Sequence, residues 1–365
     1  MKKILVVGIT PPPYYGQAMM TERLVNARFD NIKIYHVRMA FSKSLSSVGT
    51  FAISKLLHMI EIVAKAFYYK YRYQINILYY MPGGFNFTPV ARDIFILFFL
   101  RLIFKKTILH FRAAGVSGVV DRQPFPLKQL AKYVYCRPEL AIHLSELNPD
   151  DGGYFEAKKT MVVPNGLEDA AQEYLPIHRP QKECVTILYV GIIQETKGVM
   201  VLLEATKLLK ERKLSIRVNL VGGFNSLEFE EQVINYCRQH NLMDIVSLVG
   251  IKTGEEKWKY FREADIFCFP SYYECESFGN VVVEAMMFEL PVVATEWRGI
   301  ASIVDHKETG LLVPIKDPEA TSNALAELIE KIPVRKRFGE VGRRKYDQTY
   351  RVDRFLNTIS HVLDV

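Results

Sequence analysis

Twelve short apolar runs recur along this 365-residue chain, and they constrain its fold more than any other feature. Each is rich in Val, Ile, Leu or aromatic residues, and longer amphipathic stretches separate them. Such near-continuous apolar strands are typical of parallel sheets that helices cover on both faces. The runs are KILVVGI, IKIYHV, INILYY, KTILHF, ELAIHL, TMVVP, VTILYVG, SIRVNLV, IVSLVG, DIFCFP, PVVAT and GLLVP. The pattern therefore predicts an α/β protein.

The length of the chain exceeds one ordinary core, so we predict two doubly wound domains. A polar, proline-bearing segment over residues 167–183, LEDAAQEYLPIHRPQKE, is typical of a linker. It predicts a boundary near residue 172, with domains over 1–172 and 173–347. We expect a C-terminal helix, about 348–365, to pack back on the first domain. Ligands of such sheets bind outside the carboxyl ends of the strands.

Charge is unevenly divided between the two halves. Residues 1–170 contain 22 Lys and Arg against 12 Asp and Glu, whereas the remainder is slightly acidic. A basic half favours anionic lipid, nucleic acid or a phosphorylated substrate as partner. Aromatic RNA-binding signatures are missing, so nucleic acid is not expected. The five cysteines form no CxxC or Cys/His cluster, which argues against a disulfide framework or a zinc site and favours a cytoplasmic location.

No stretch of the sequence is predicted to cross a membrane. The apolar run after Lys3 is too short for a signal peptide. The longest apolar stretch, Ile94 to Phe104, covers about 16 Å as a helix against roughly 30 Å of bilayer core. Phe51 to Tyr73 is amphipathic and basic. Both stretches fit either a helix packed on the sheet or an interfacial helix on anionic lipid.

The segment PSYYECESFGNVVVEAMMFELP, residues 270–291, is the first candidate site. Gly279 and Asn280 suit the first turn of a helix, and we expect Pro291 to stop it. Glu284 then lies roughly 7 to 8 Å inside the helix, while Glu276 lies just before it. A helix start binds anions, so a diphosphate would fit between the two acids. The alternative is a buried amphipathic helix with two solvated glutamates.

Four further residues stand at predicted strand ends. Gly16 opens a helical pattern after TPPPYY, and its loop either approaches a ligand or is a rigid connector. His110 and Arg112 share one face of the strand KTILHF at its carboxyl end, where either a ligand contact or a structural histidine is expected. Lys197 precedes a helix and either neutralises a phosphate or is solvated. The acidic pair in NPDDGG predicts a turn or helix cap rather than a metal site.

These motifs together resemble the group 1, or family 4, retaining glycosyltransferases of the GT-B fold. The resemblance is carried by ESFGNVVVEAM with its E-x7-E spacing, then LPVVAT, ETGLLVP and DP, and more weakly by VPNG and the loop ending in Gly16. It implies two Rossmann-like domains that face each other across a cleft. The first would bind the acceptor and the second a nucleoside diphosphate sugar. No metal and no cofactor are expected.

The resemblance also implies roles for particular residues. Glu284 would hold the ribose hydroxyls, Glu276 would lie by the transferred sugar, and Lys197 would stabilise the departing diphosphate. His110 or Arg112 would match the histidine region of the family. The residues expected to bind the donor are Gly16, Phe278, Gly279, Asn280, Val281 and Glu284.

The chain departs from the family pattern at two positions. Related enzymes often read HxHG where this chain has Arg112 at the second histidine position. The family usually has Gly-Arg after the first strand of the second domain, whereas this chain has Gly191 and Ile192. A lost charge-assisted hydrogen bond would cost roughly ten- to a hundredfold in rate. Arg112 or Arg298 is our hypothesis for the replacement.

The resulting prediction is a hexosyltransferase-type enzyme. It would move a sugar, with retention, from a nucleotide sugar to a glycan or lipid-linked acceptor in capsule, O-antigen or similar polysaccharide synthesis. We expect it in the cytoplasm, peripheral on the inner face of the membrane. The alternatives are a GT-B nucleotide-sugar epimerase and a nucleotide-sugar-binding partner without catalysis. NMR analysis of products and calorimetry of donor binding separate these three functions.

Overall fold

The computed structural model describes residues 1–12, 16–41, 53–84, 86–175, 177, 179 and 183–364. The chain forms two compact units. The front unit comprises residues 1–166 and 353–365, and the rear unit comprises residues 167–352. The start of the predicted helix Phe51 to Tyr73 and part of the predicted linker fall outside the described residues.

The front unit contains a six-stranded parallel sheet in the order β2-β1-β3-β4-β5-β6. Its central strands are buried along their length, as expected for a sheet covered on both faces. The strands are β1 (Lys2–Gly8), β2 (Ile32–Arg38), β3 (Ile77–Tyr80), β4 (Lys106–Phe111), β5 (Leu140–His143) and β6 (Thr160–Val162).

Seven helices of the front unit lie within the described residues. They are α1 (Gly16–Asn26), α2 (Ile53–Tyr73), α3 (Phe87–Ile103), α4 (Val116–Asp121), α5 (Leu127–Tyr135), α6 (Asp151–Tyr154) and the C-terminal helix, α14 (Val352–Leu363), whose first residue belongs to the rear unit. Helix α3 packs against α2 and against α5. The apolar stretch Ile94 to Phe104 is the second half of α3 and its C-cap, and one side of it is buried in the core.

The rear unit repeats this architecture with a second six-stranded parallel sheet, in the order β12-β11-β10-β7-β8-β9. Its strands are β7 (Val185–Val190), β8 (Ile216–Val221), β9 (Val246–Gly250), β10 (Ile266–Phe269), β11 (Val292–Thr295) and β12 (Gly310–Val313). All twelve predicted strands are therefore confirmed, since each apolar run of the sequence contains one strand.

Helices alternate with the strands of the rear unit. They are α7 (Val199–Glu211), α8 (Leu227–Gln239), α9 (Gly254–Glu263), α10 (Asn280–Met287), α11 (Arg298–Ile303), α12 (Pro318–Glu330) and α13 (Ile332–Lys345). A short π-helix over Tyr346–Tyr350 follows α13. No helix in the described part of the chain has the length and apolarity needed to cross a bilayer.

The two passages of the chain between the units are paired with each other. The backbone N–H of Leu167 donates to the carbonyl of Tyr350, and the N–H of Val352 donates to the carbonyl of Leu167. Nearby, the guanidinium of Arg343 donates to both oxygens of Asp169 at 2.9 and 2.5 Å. A bidentate pair of this kind fixes both position and orientation. The segment around Asp169, with which the rear unit begins, is therefore bound to α13 near the end of the same unit.

Candidate functional site

Helix α10 begins without a side-chain cap. Its N-cap is Gly279, which has a left-handed φ of 91° and no side chain to accept from the first turn. The first N–H groups of a helix have no partner within the helix, and together with the helix dipole they favour an anion. The predicted start at Gly279 and Asn280 is confirmed. The predicted stop at Pro291 is wrong, because the helix ends at Met287 and Glu289 turns the chain with φ 55°.

Helix α11 packs directly on the backbone before α10. A Cβ on Gly299 would lie 2.0 Å from the carbonyl oxygen of Ser277 and 2.9 Å from the nitrogen of Phe278. The preceding residue, Arg298, has φ 44° and its guanidinium lies 5.1 Å from the ring centroid of Trp297. Because Gly299 touches the segment that leads into α10, its neighbour Arg298 lies beside the start of that helix.

Glu276 is paired with Lys197. The Nζ of Lys197 lies 2.5 Å from Oε2 of Glu276, and both side chains are largely shielded from solvent, with exposures of 15 and 11%. The hydroxyl of Ser271 donates to the same oxygen at 3.1 Å. This carboxylate is therefore held by one charged and one neutral donor. The ion pair links the E-x7-E motif to Lys197, which lies 79 positions earlier in the sequence.

Lys197 is itself fixed by its surroundings. It ends a 3₁₀ turn over Glu195–Lys197, and Gly198, with φ 76°, is the N-cap of α7. Its ammonium lies 4.7 Å from the ring centroid of Tyr273 and 5.6 Å from that of Phe269. Aromatic faces attract a cation in this range. The lysine is thus presented by a rigid turn rather than by a solvated helix end.

Glu284 has a lysine of its own. The Nζ of Lys257, on α9, lies 2.8 Å from Oε1 of Glu284, with side-chain exposures of 18 and 13%. The second oxygen, Oε2, is buried and has no hydrogen-bond partner within the described part of the structure. The sequence analysis missed Lys257. Its neighbours Glu255, Glu256 and Lys259 give α9 the charge pattern of a solvated helix. Only Trp258, which follows Lys257, indicates that one face of this helix is packed against the protein.

The position that lacks the family arginine is open to solvent. Ile192 is 46% exposed, and its carbonyl accepts a hydrogen bond from the buried hydroxyl of Tyr189 at 2.8 Å. Burial, reinforced by Glu276, raises the pKa of Tyr189 well above its usual value, so the phenol stays protonated. At the end of β7 the Tyr189 hydroxyl therefore bonds to the backbone of the chain itself, and Ile192 offers no charge to a ligand.

Gly16 and the histidine region belong to the front unit. Gly16 is the first residue of α1, and Pro13, Tyr14 and Tyr15 before it lie outside the described residues. His110 has no exposed surface, its Nδ1 is hydrogen-bonded to the hydroxyl of Tyr79, and its Nε2 is buried without a partner within the described residues. Arg112 is 7% exposed and donates to the side-chain oxygen of Asn165 at 2.8 Å.

Burial lowers the pKa of both side chains of this pair in the front unit. It lowers the pKa of His110 well below the usual value, and the nearby charge of Arg112 lowers it further. Burial also lowers the pKa of Arg112 to about 10. His110 is therefore neutral at pH 7, whereas Arg112 remains a cation. The two side chains that strand alternation places on one face thus carry different charges.

The described residues contain no group of His, Cys, Asp and Glu that could hold a metal ion. The acidic pair serves as helix caps, as predicted. Asp150 accepts from the N–H of Gly153 at 2.8 Å, and buried Asp151 accepts from Gly115 and Ser117 at the start of α4. These carboxylates are therefore occupied by the backbone.

Comparisons with known proteins support the motif assignment. Residues 171–345 match the family model described as glycosyl transferases group 1. The chain is 34% identical over 263 residues to the amylovoran biosynthesis glycosyltransferase AmsK of Erwinia amylovora, which covers 67% of this chain and 63% of the relative. The chain therefore spans less than two thirds of that relative.

Solved structures support the fold over the whole chain. A sucrose-phosphate synthase from Thermosynechococcus elongatus superimposes with a TM-score of 0.74 at 19% identity, covering 100% of this chain and 98% of the other. Alr3699/HepE of Anabaena, solved in complex with UDP, gives 0.73 at 14% identity and covers both chains completely. At these identities the likeness establishes the fold alone, and the predicted GT-B fold is confirmed.

Proposed function

We propose that this chain, whose residues 171–345 match the model of the group 1 glycosyltransferases, transfers a sugar from a nucleoside diphosphate donor to an acceptor hydroxyl. The observation that carries this proposal is the uncapped start of α10, flanked by Glu276 and Glu284, each paired with its own lysine. This arrangement fits a diphosphate at the helix start with a sugar on either side.

Each element of this site has a chemical task in the proposal. The N–H groups of Phe278, Gly279, Asn280 and Val281 bind the diphosphate. Lys197 stabilises the negative charge that develops on it as the bond to the sugar breaks, where preorganised charge is most effective. Glu276 orients the transferred sugar and Glu284 accepts from the ribose. The acceptor hydroxyl bonds to the anomeric carbon on the face from which the diphosphate departs and gives its proton to the donor's own phosphate, so the anomeric configuration is retained.

Arg298 is the residue that we propose to replace the missing family arginine. It begins α11, whose next residue touches the backbone before α10. A left-handed arginine at a helix start is strained, and such strain persists where the surrounding structure imposes it, often at functional sites. Arg298 therefore supplies the second cation for the diphosphate from a different loop.

In the front unit, a charged side chain follows directly after β4. We assign the substrate contact there to Arg112, because it is cationic and retains some exposed surface, whereas His110 has none. His110 then orients the hydroxyl of Tyr79 beside it. Gly16, which the resemblance assigns to donor binding, is the first residue of α1.

The names of similar proteins favour a polysaccharide product. AmsK is named for amylovoran biosynthesis, and Alr3699/HepE was solved with UDP. We therefore propose a glycan or lipid-linked acceptor and a nucleoside diphosphate sugar as donor.

A panel of UDP-, GDP- and ADP-sugars incubated with lipid-linked glycan acceptors tests the function. We expect a new glycoside, with NMR showing the anomeric configuration of the donor. Glu276→Gln and Lys197→Met should each lower turnover by at least a hundredfold. Conversion of the donor without acceptor would favour the epimerase. Donor binding without any product would favour the non-catalytic partner, and neither binding nor transfer would refute the proposal.

We further propose that the front unit docks on an anionic membrane. Exposed aromatic and aliphatic side chains lie beside basic residues at the ends of α2 and α3, where Lys70 lies 5.4 Å from the ring centroid of Phe104. No acidic residue occurs between Glu61 and Asp93, or between Asp93 and Asp121. We call this surface the apolar-basic face; it comprises Tyr68, Tyr71, Phe98, Phe99, Leu102, Lys70, Arg72, Lys105 and Lys106.

The apolar-basic face suits a bilayer surface because aromatic side chains insert at the interface while each Lys or Arg gains about 1 kcal/mol near anionic lipid. Flotation with phosphatidylglycerol vesicles at low salt tests it. Tyr71→Ser with Leu102→Gln, which replace side chains 67 and 63% exposed, should abolish co-flotation. Leu227→Gln, in the rear unit and 78% exposed, is the matched control and should float like the wild type. A wild-type protein that stays entirely in the dense fraction would refute the docking.

A further inference from the structure

The carboxylate of Glu284 is only half used by the protein. Its Oε1 accepts from Lys257 Nζ at 2.8 Å, while its Oε2 is buried with no partner within the described residues. Buried acceptors in folded proteins are almost always paired. A buried oxygen left open next to a paired one therefore indicates a place for a donor group that is not part of the chain.

Lys257 is held tightly enough to fix this carboxylate. Its ammonium lies 4.0 Å from the ring centroid of Trp258, the residue that follows it on α9. The indole in turn stacks on Phe288 with ring centroids 5.4 Å apart, and Phe288 is the C-cap of α10. One aromatic contact thus ties the lysine, its helix and the end of α10 together. Removing the ammonium would free the Glu284 side chain.

The chemistry of the open oxygen favours a pair of hydroxyl donors. A carboxylate accepts several hydrogen bonds, and with Oε1 occupied by the lysine, Oε2 is left to accept from vicinal hydroxyl groups. Lys257 also offsets the charge of Glu284, which would otherwise repel a diphosphate at the start of the same helix. Positioning and charge compensation are thus combined in one side chain.

We propose that Lys257 is a positioning residue that fixes Glu284 for the 2′,3′-diol of a ribose, so that the site distinguishes ribonucleotide from 2′-deoxyribonucleotide donors. This inference rests on the proposed function. It adds a residue outside the E-x7-E motif and assigns selectivity for the sugar of the nucleotide to an ion pair between α9 and α10.

Calorimetric titration of purified full-length protein tests the inference. The probes are UDP, GDP, ADP and CDP together with their 2′-deoxy counterparts and dTDP. The variants are Lys257→Met, Lys257→Arg and Glu284→Gln. Lys259→Met is the control, since Lys259 lies on the same helix, is 65% exposed and pairs only loosely with Glu263 at 3.9 Å. Thermal unfolding without ligand establishes that each variant is folded.

The wild type should bind the preferred ribonucleotide at least tenfold more tightly than its 2′-deoxy form. Lys257→Met should reduce this ratio to below threefold, mainly by weakening the ribonucleotide, and Glu284→Gln should do the same. Lys257→Arg should retain at least half of the wild-type ratio, and Lys259→Met should retain all of it. Rescue by arginine separates positioning from a general loss of structure.

The outcomes distinguish this inference from the function beneath it. A wild type that binds none of the nucleotides refutes the proposed function and the inference with it. A wild type that binds both sugars equally, or prefers the deoxy form, overturns the inference alone. So does a Lys257→Met protein that keeps the wild-type ratio. If Lys257→Met is unfolded, the ratio in Lys257→Arg decides, and a ratio as low as that of Glu284→Gln overturns the proposal.

Discussion

Replacing Gly198 by alanine should damage the site through backbone geometry alone. Gly198 has φ 76°, and a Cβ there would lie 2.0 Å from the carbonyl oxygen of Pro270. Gly250 has nearly the same φ, 78°, but nothing within 4 Å of its Cβ position. The left-handed conformation alone costs about 1–2 kcal/mol for alanine. Gly250→Ala therefore measures the conformational term without the contact.

The contact adds a second term at Gly198. Relief of a 2.0 Å approach requires the backbone around Pro270 to move, and such overpacking typically costs about 1–3 kcal/mol. Gly198→Ala should thus lose about 2–5 kcal/mol of the free energy of unfolding of the rear unit, against about 1–2 kcal/mol for Gly250→Ala. Because Ser271 follows Pro270 and donates to Glu276, the movement should also separate Glu276 from Lys197 and lower turnover.

Urea denaturation monitored by tryptophan fluorescence suits this comparison, since Trp258 and Trp297 both lie in the rear unit. The difference between the two alanine variants isolates the contact with Pro270. Equal destabilisation of Gly198→Ala and Gly250→Ala would refute the reasoning. So would a Gly198→Ala protein that is destabilised but turns over as fast as the wild type.

Three further predictions concern charge. Arg298→Gly relieves a left-handed conformation worth about 1–2 kcal/mol and adds a glycine entropy cost of about 0.5–1 kcal/mol, so stability should hold or rise by up to about 1.5 kcal/mol. Diphosphate affinity should fall about ten- to a hundredfold, and unchanged affinity by calorimetry would exclude this arginine. Arg343→Met leaves the buried Asp169 carboxylate short of its bidentate partner and should cost about 3 kcal/mol in urea denaturation, whereas exposed Arg344→Met should stay within about 0.5 kcal/mol. The pKa of His110 is lowered in the folded state, so below pH 6.5 the unfolded chain binds a proton that the folded chain excludes, and stability falls as the pH falls. His110→Gln should make the loss between pH 6.5 and 5 shallower by up to about 1.4 kcal/mol per pH unit, and an unchanged slope would contradict the lowered pKa.

The sequence predicted the strands because their signal is local. Val, Ile and aromatic side chains in short runs leave few alternatives to a strand buried on both faces, as in Val185–Val190 and Val292–Thr295. The start of α10 was also readable, since Gly279 and Asn280 favour such a position. Its end was not, because the turn at Glu289 depends on how the helix packs rather than on the later proline.

The ion pairs of the site could not be predicted because they depend on tertiary contacts. Lys257 reaches Glu284 from 27 positions away, and Lys197 reaches Glu276 from 79. Sequence reasoning placed the acids at a helix start but left open whether the lysine before α7 binds a phosphate or is a solvated surface group. The complete burial of His110 was likewise hidden, since strand alternation fixes a face and not a depth.

The most direct test is a crystal structure of the protein with the nucleoside diphosphate that it binds most tightly. Our account predicts diphosphate oxygens about 3 Å from the backbone nitrogens of Asn280 and Val281, with the ribose hydroxyls on Oε2 of Glu284 and Lys257 still on Oε1. A diphosphate bound elsewhere on the chain, with the start of α10 unoccupied, would contradict it.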